Sequence, residues 1–136
     1  MTTQYWLVKS EPATYAWADL VRDGRTDWTG VRNYAARLHL KAMRKGDGVC
    51  YYHSGDGKEI VGLAKVTQAA FPDTTADEAG WVAVGLAPIA PLKKPVTLAQ
   101  IKAEPALAQI GLIRQSRLSV VPLTAAEFKL IVGLAR

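Results

Sequence analysis

Five short groups of residues carry what chemistry this sequence has: Lys9-Ser10, Trp28, Arg32-Asn33, His53-Ser54 and Arg117-Leu118-Ser119. Each adjoins an apolar run, so all of them can sit at the ends of buried elements. An aromatic ring stacks on a planar ligand, hydroxyls and an amide bond its edge, and guanidinium groups hold phosphate. This is the set of groups with which proteins read a base turned out of its stack. Taken singly, Trp28 reads better as a core ring and each of the others as a cap on an element. Their joint placement on one rim is what points to a ligand.

Other chemistries fit less well. Two histidines and one cysteine, with no C-x-x-C and no H-x-x-x-H, give no convincing metal site. No cofactor is expected. Cys50 and His53 lie three residues apart on an expected strand and so face opposite ways. That leaves Cys50 as a small core residue. Ser10, Glu11 and His53 can be written as a hydrolase triad, but there is no G-x-S-x-G elbow, and Ser10 and Glu11 also alternate in direction. Gly55-Asp56-Gly57-Lys58 lacks the spacing of a phosphate loop and reads as a turn. The expectation is a binding protein and not an enzyme.

The elements that must position these groups can be read in turn. Tyr5-Trp6-Leu7-Val8 begins as an unbroken apolar run and reads as a strand buried on both faces, ended by Pro12. Thr14 is expected to cap a short helix that Gly24 ends, followed by a polar loop over 23–27. Trp28 to Asn33 then form a loop before a helix over 33–44. Asn33, Arg37, Lys41 and Arg44 fall on one face of that helix, either a phosphate track or a solvated surface. Strands over 49–53 and 59–69 form a hairpin, with Gly62 marking a bulge or a close backbone approach. The acidic stretch 71–80 reads as an exposed connection, and 81–92 as a strand whose later part Pro88 and Pro91 confine to an edge. Thr97 caps a short helix, and 105–110 suggest another helical turn. A short strand over 118–121 follows, and Thr124 with Glu127 forms a capping box for a last helix that buries Phe128, Ile131 and Leu134. Helices do not alternate strictly with strands, so the expected class is α+β, a mostly antiparallel β-barrel with flanking helices in one domain, 1–136.

Composition sets broad bounds. Hydrophobic residues make up 49% and charged residues 21%, which suits an ordinary globular protein. Seventeen basic residues against twelve acidic ones give a net charge of +5, compatible with a polyanionic partner. One cysteine permits no internal disulfide and fits a reducing compartment. No signal segment or membrane-length apolar run stands out, so a soluble cytoplasmic protein is expected.

The chain resembles the EVE domain family, a branch of the PUA-like superfamily related to YTH domains. The resemblance rests on Tyr5-Trp6-Leu7-Val8-Lys9-Ser10-Glu11-Pro12, Trp28-Thr29-Gly30-Val31-Arg32-Asn33-Tyr34, Tyr52-His53-Ser54 and Arg117-Leu118-Ser119-Val120-Val121-Pro122. It implies a PUA-like barrel with a pocket for a modified base of DNA or RNA. Carried over by position, the pocket would comprise Lys9, Ser10, Trp28, Arg32, Asn33, His53, Ser54 and Ser119. Arg37, Lys41, Arg44 and Arg117 would meet phosphates. A free base-like or aromatic metabolite is the alternative ligand, and an enzyme acting on such a base is the third reading. Many family members carry a longer insertion where this chain has only residues 73–80.

Overall fold

The computed structural model describes residues 3–55, 57–115 and 117–136. Position 56 of the expected turn lies outside them. The strands, in chain order, are β1 (Tyr5–Ser10), β2 (Thr26–Trp28), β3 (Gly48–His53), β4 (Glu59–Pro72), β5 (Val82–Thr97) and β6 (Val120–Leu123). The α-helices are α1 (Trp17–Asp23), α2 (Tyr34–Ala42), α3 (Leu98–Ala103), α4 (Gly111–Arg114) and α5 (Ala125–Leu134), with a 3-10 turn at Pro105–Leu107.

The strands form one sheet in the order β2-β5-β4-β3-β1-β6. β1 and β3 run parallel, with Tyr5 opposite Gly48 and Ser10 opposite His53. The other pairings are antiparallel. The apolar run in β1 explains its place near the middle: Leu7 and Val8 are fully buried between β3 and β6. β2 and β6 stand at opposite ends of the order, yet Trp28 of β2 and Ser119, just before β6, line one cavity. The sheet therefore curls toward a barrel, as the α+β, mostly antiparallel expectation required.

Several local expectations hold for identifiable reasons. Asn33 accepts a hydrogen bond from the Ala36 N–H at the start of α2. The Thr97–Gln100 and Thr124–Glu127 boxes cap α3 and α5. Gly24 adopts a left-handed conformation at the end of α1. Gly62 answers both expectations at once: the β3–β4 and β4–β5 registers slip beside it, and a Cβ there would fall 2.6 Å from the Trp17 ring. Beyond residue 86, β5 pairs with β4 alone, so its proline-bearing half is an edge.

Other expectations need correction. Helix α1 begins two residues later than expected, with Ala16 and not Thr14 at its N-cap; the Asp19 carboxylate takes the Ala16 N–H. The polar loop over 23–27 contains the start of β2, so Trp28 closes a strand and does not stand in a loop. Strand β4 runs on to Pro72 and β5 to Thr97, both longer than expected. Ala36 and Leu40 of α2 and Met43 at its end are buried, whereas Leu38 is 64% exposed. The stretch 71–80 is not uniformly exposed either, because Asp73 is buried.

Candidate nucleobase site

A cavity of about 610 Å³ opens where β1 ends, between the β2–α2 connection and the entry to β6. That volume falls in the usual range of small-ligand pockets, roughly 300–1,000 Å³. Lys9, Ser10, Trp28, Arg32, Asn33 and Ser119 all line it. These six residues come from three separate stretches of chain. The Lys9 N–H donates to the Ser119 carbonyl at 3.0 Å, which ties the end of β1 to the entry of β6.

The hydrogen bonds inside the protein decide which atoms remain to face a ligand. The Ser10 hydroxyl donates to the Tyr15 carbonyl, which leaves its oxygen as an acceptor. The Asn33 Oδ1 is engaged by the Ala36 N–H at 2.9 Å, which leaves the amide N–H groups as donors. One wall thus offers an acceptor and another offers donors, the complement of a base edge that carries both kinds of group.

Beneath the cavity lies a layer of rings. Tyr51 is fully buried and makes edge contacts with Trp28 and Trp17, each at 5.6 Å between centroids. Its hydroxyl also donates to the Tyr15 carbonyl, at 2.7 Å, and burial pushes its pKa up to about 12. Trp28 itself is only 9% exposed. It offers the cavity a limited surface, and not the broad free face that a loop position would give.

The Gly30 to Asn33 wall is held from behind by a residue that the sequence reading placed in an exposed connection. One Asp73 oxygen accepts from the Gly30 N–H at 2.9 Å and from the Arg32 guanidinium at 3.0 Å. The other accepts from the Thr75 N–H and hydroxyl at 2.8 and 2.6 Å. Burial by itself raises this carboxyl's pKa, but the four donors outweigh it and hold the group well below the usual carboxylate range. Gly30 has φ +84°, a conformation that a side chain would strain. The Asp73-x-Thr75 turn was the available signal in the sequence, masked by its acidic neighbours.

His53 and Ser54 do not line the cavity. His53 sits beside Ser10 in the β1–β3 register, but its Nε2 accepts the Trp17 N–H at 3.0 Å and so anchors the start of α1. Burial lowers its pKa, in keeping with a neutral acceptor. The Ser54 N–H continues the ladder to the Ser10 carbonyl. Among the expected phosphate residues, Lys41, Arg44 and Arg117 are exposed. Arg37 is half-buried, stacked over Tyr34 and Trp81. The cavity is of mixed charge, since Glu11 and Asp27 line it along with Lys9 and Arg32. Among the described residues, no cluster of three or more His, Cys, Asp or Glu side chains is arranged to hold a metal. Nor, among the described residues, is any helix long and apolar enough to cross a membrane.

A curled α+β sheet with a ligand-sized cavity between its end strands is the PUA-like arrangement. Residues 4–134 match the EVE domain family, and the chain belongs to it. It is 50% identical to Rpa0253 of Rhodopseudomonas palustris, solved by NMR, with a TM-score of 0.92 over 98% of this chain and 93% of that one. Human THYN1, crystallised in complex with DNA containing 5-methylcytosine, is 31% identical with a TM-score of 0.91 over 98% of both chains. Thymocyte nuclear protein 1 of Mus musculus is 32% identical, aligned over 97% of this chain and 74% of that protein. That alignment runs over 166 positions against a chain of 136, so the mouse protein carries segments this one lacks.

Proposed function

We propose that this protein binds nucleic acid carrying a modified base and takes that base into the cavity at the end of β1. The observation that carries the reading is the convergence of Ser10, Trp28, Asn33 and Ser119 on one ligand-sized space, with an oxygen able to accept on Ser10 and amide N–H groups able to donate on Asn33. The 5-methylcytosine DNA bound to human THYN1 supports the same reading. In it, the Ser10 oxygen accepts an exocyclic amino group, the Asn33 amide donates to a ring nitrogen or carbonyl, and Trp28 packs against one edge of the base. The exposed Lys41 on α2 and Arg44 just beyond it attract the backbone. If the modification is a methyl group, its burial contributes only about 1 kcal/mol, so discrimination rests on shape and on water excluded around it.

The protein is proposed to bind and not to turn over its ligand. Cys50 is fully buried and its thiol is pushed up to about 12, so it is no nucleophile at neutral pH. His53 is engaged with the α1 backbone. The Ser10 proton is directed at a carbonyl and not at a base.

The test is fluorescence anisotropy with DNA and RNA oligonucleotides of one sequence, each with and without 5-methylcytosine, alongside mass spectrometry of nucleosides co-purified with the protein. A preference for a modified strand that narrows in Ser119→Ala supports the reading. Equal affinity for all four strands, with only a free nucleoside or metabolite co-purifying, sinks it.

A further inference from the structure

We infer that the exposed face of Tyr34 is a second stacking site, one that takes the nucleotide next to the base held in the cavity. This rests on the cavity reading and adds a contact that reading does not require. Arg32 lines the cavity, and its guanidinium lies 5.8 Å from the Trp81 ring. Arg37 lies 4.8 Å from the same ring and 4.9 Å from the Tyr34 ring. Tyr34 and Trp81 are themselves 5.2 Å apart, tilted by 36°. The result is a continuous array of guanidinium and aromatic groups running outward from the cavity wall.

The inner members of this array are committed and the outer one is not. Trp81 is 9% exposed. Among the described residues the buried Arg37 Nε has no hydrogen-bond acceptor, and its neighbouring nitrogen reaches the Gly80 carbonyl at 3.4 Å. The charge is therefore offset mainly by the π-faces it lies over. Tyr34 is 66% exposed, with Leu38, one turn along α2, at 64%. A tyrosine backed by a cation and left open to solvent suits an unpaired base, because every base has a π-face that stacks on it.

The occupant follows from position and charge. Tyr34 directly follows Asn33, which lines the cavity; the exposed Lys41 lies further along the same helix and the exposed Arg44 just beyond its end. A strand whose base enters the cavity has its neighbouring nucleotide one backbone step away, and it meets an aromatic surface flanked by positive charge. An acidic or apolar protein surface would gain nothing from continuity with the cavity.

The experiment uses a fluorescent DNA strand with 5-methylcytosine, with either normal flanking bases or a stable abasic analogue on its 5′ or 3′ side. Tyr34→Ala should weaken binding of the strand with normal flanks by about tenfold. The mutation should have no effect on one of the two abasic strands, and Tyr34→Phe should restore wild-type affinity. Equal weakening on every strand would mean that no base stacks there, and unchanged binding on all would remove the site altogether. Either result overturns the inference while wild type still prefers the modified strand. Loss of that preference in wild type would instead overturn the cavity reading and the flanking site with it. A change in oligomeric mass on Tyr34→Ala, with affinity unchanged, would give the face to a second copy of the chain.

Discussion

Two buried aspartates, Asp47 and Asp73, do similar electrostatic work in different parts of the molecule. Asp47 lies between α2 and β3 and takes the Gln4 N–H, the Trp6 indole N–H and the Arg44 N–H. It has no cation among these partners and joins the start of β1 to the end of α2. Asp73 lies between β4 and β5 and takes one cation along with hydroxyl and amide donors. Three neutral donors, two from the start of β1 and its approach and one from the segment after α2, make a scaffold staple. A carboxylate tied to Gly30 and Arg32 instead sets the shape of the cavity wall. Burial alone would not tell the two apart; the location of the donors does.

The largest effect that would separate them is on stability. Asp47→Ala leaves three donors without an acceptor in a buried place, and each such group costs about 1–3 kcal/mol. Water entering the space recovers part of this, so the expected loss is about 3–5 kcal/mol in urea unfolding. Base preference should survive at temperatures where the variant stays folded. A folded Asp47→Ala protein that has lost its preference would break the division of roles.

Asp73→Ala should cost less, about 2 kcal/mol, because Arg32 is exposed enough for water to replace its partner. Its main effect should appear in binding, as a severalfold narrowing between modified and plain strands measured by anisotropy. Unchanged selectivity would show that the wall holds its form without this carboxylate.

Acid sharpens the contrast. The folded-state pKa of Asp73 is depressed, so its contribution to stability is fully present above the unfolded value, near pH 4. It is lost as pH falls from there toward the folded value. The stability gap between wild type and Asp73→Asn should therefore be constant at neutral pH and shrink below about pH 4. A gap that stays constant down to pH 2 would mean the carboxylate is not ionised as described.

The smallest expected effect concerns Asn33, which has two roles. Asn33→Ser keeps an N-cap of equal quality, so stability should change by less than about 0.5 kcal/mol. The amide donors are lost, and affinity for the modified strand should fall by about 1 kcal/mol. Asn33→Ala should show both losses together. If serine binds as tightly as asparagine, the residue is a cap and nothing more.

Much of this was legible because it depended on local chemistry. The Asn33, Thr97 and Thr124 caps, the Gly24 stop and the role of Gly62 each follow from a residue type and its immediate neighbours. Six of the eight expected pocket residues line one cavity because they end or precede apolar runs that pack together. The misses were non-local. Nothing near His53 says that its ring will accept the Trp17 N–H, 36 residues away in sequence. Asp73 sits among exposed acids and acquires its partners 41 and 43 residues back. Strand β2 is only three residues long and was lost among polar neighbours, which is why Trp28 was expected in a loop.

The parallel pairing of β1 with β3 bears on how the chain reaches this state. Parallel neighbours cannot be joined by a tight turn, and residues 11–47 make the crossover. That crossover carries most of the cavity wall. On its other side β1 must wait for β6, over a hundred residues later. During synthesis Tyr5-Trp6-Leu7-Val8 thus emerges as an apolar strand with both edges open, a hazard for association with other nascent chains. The entropy of closing so many long loops comes before the contacts that reward it, so folding should be slow for a chain of this size. The cavity takes shape among the last events, and a chain caught short of completion would have no binding activity to lose.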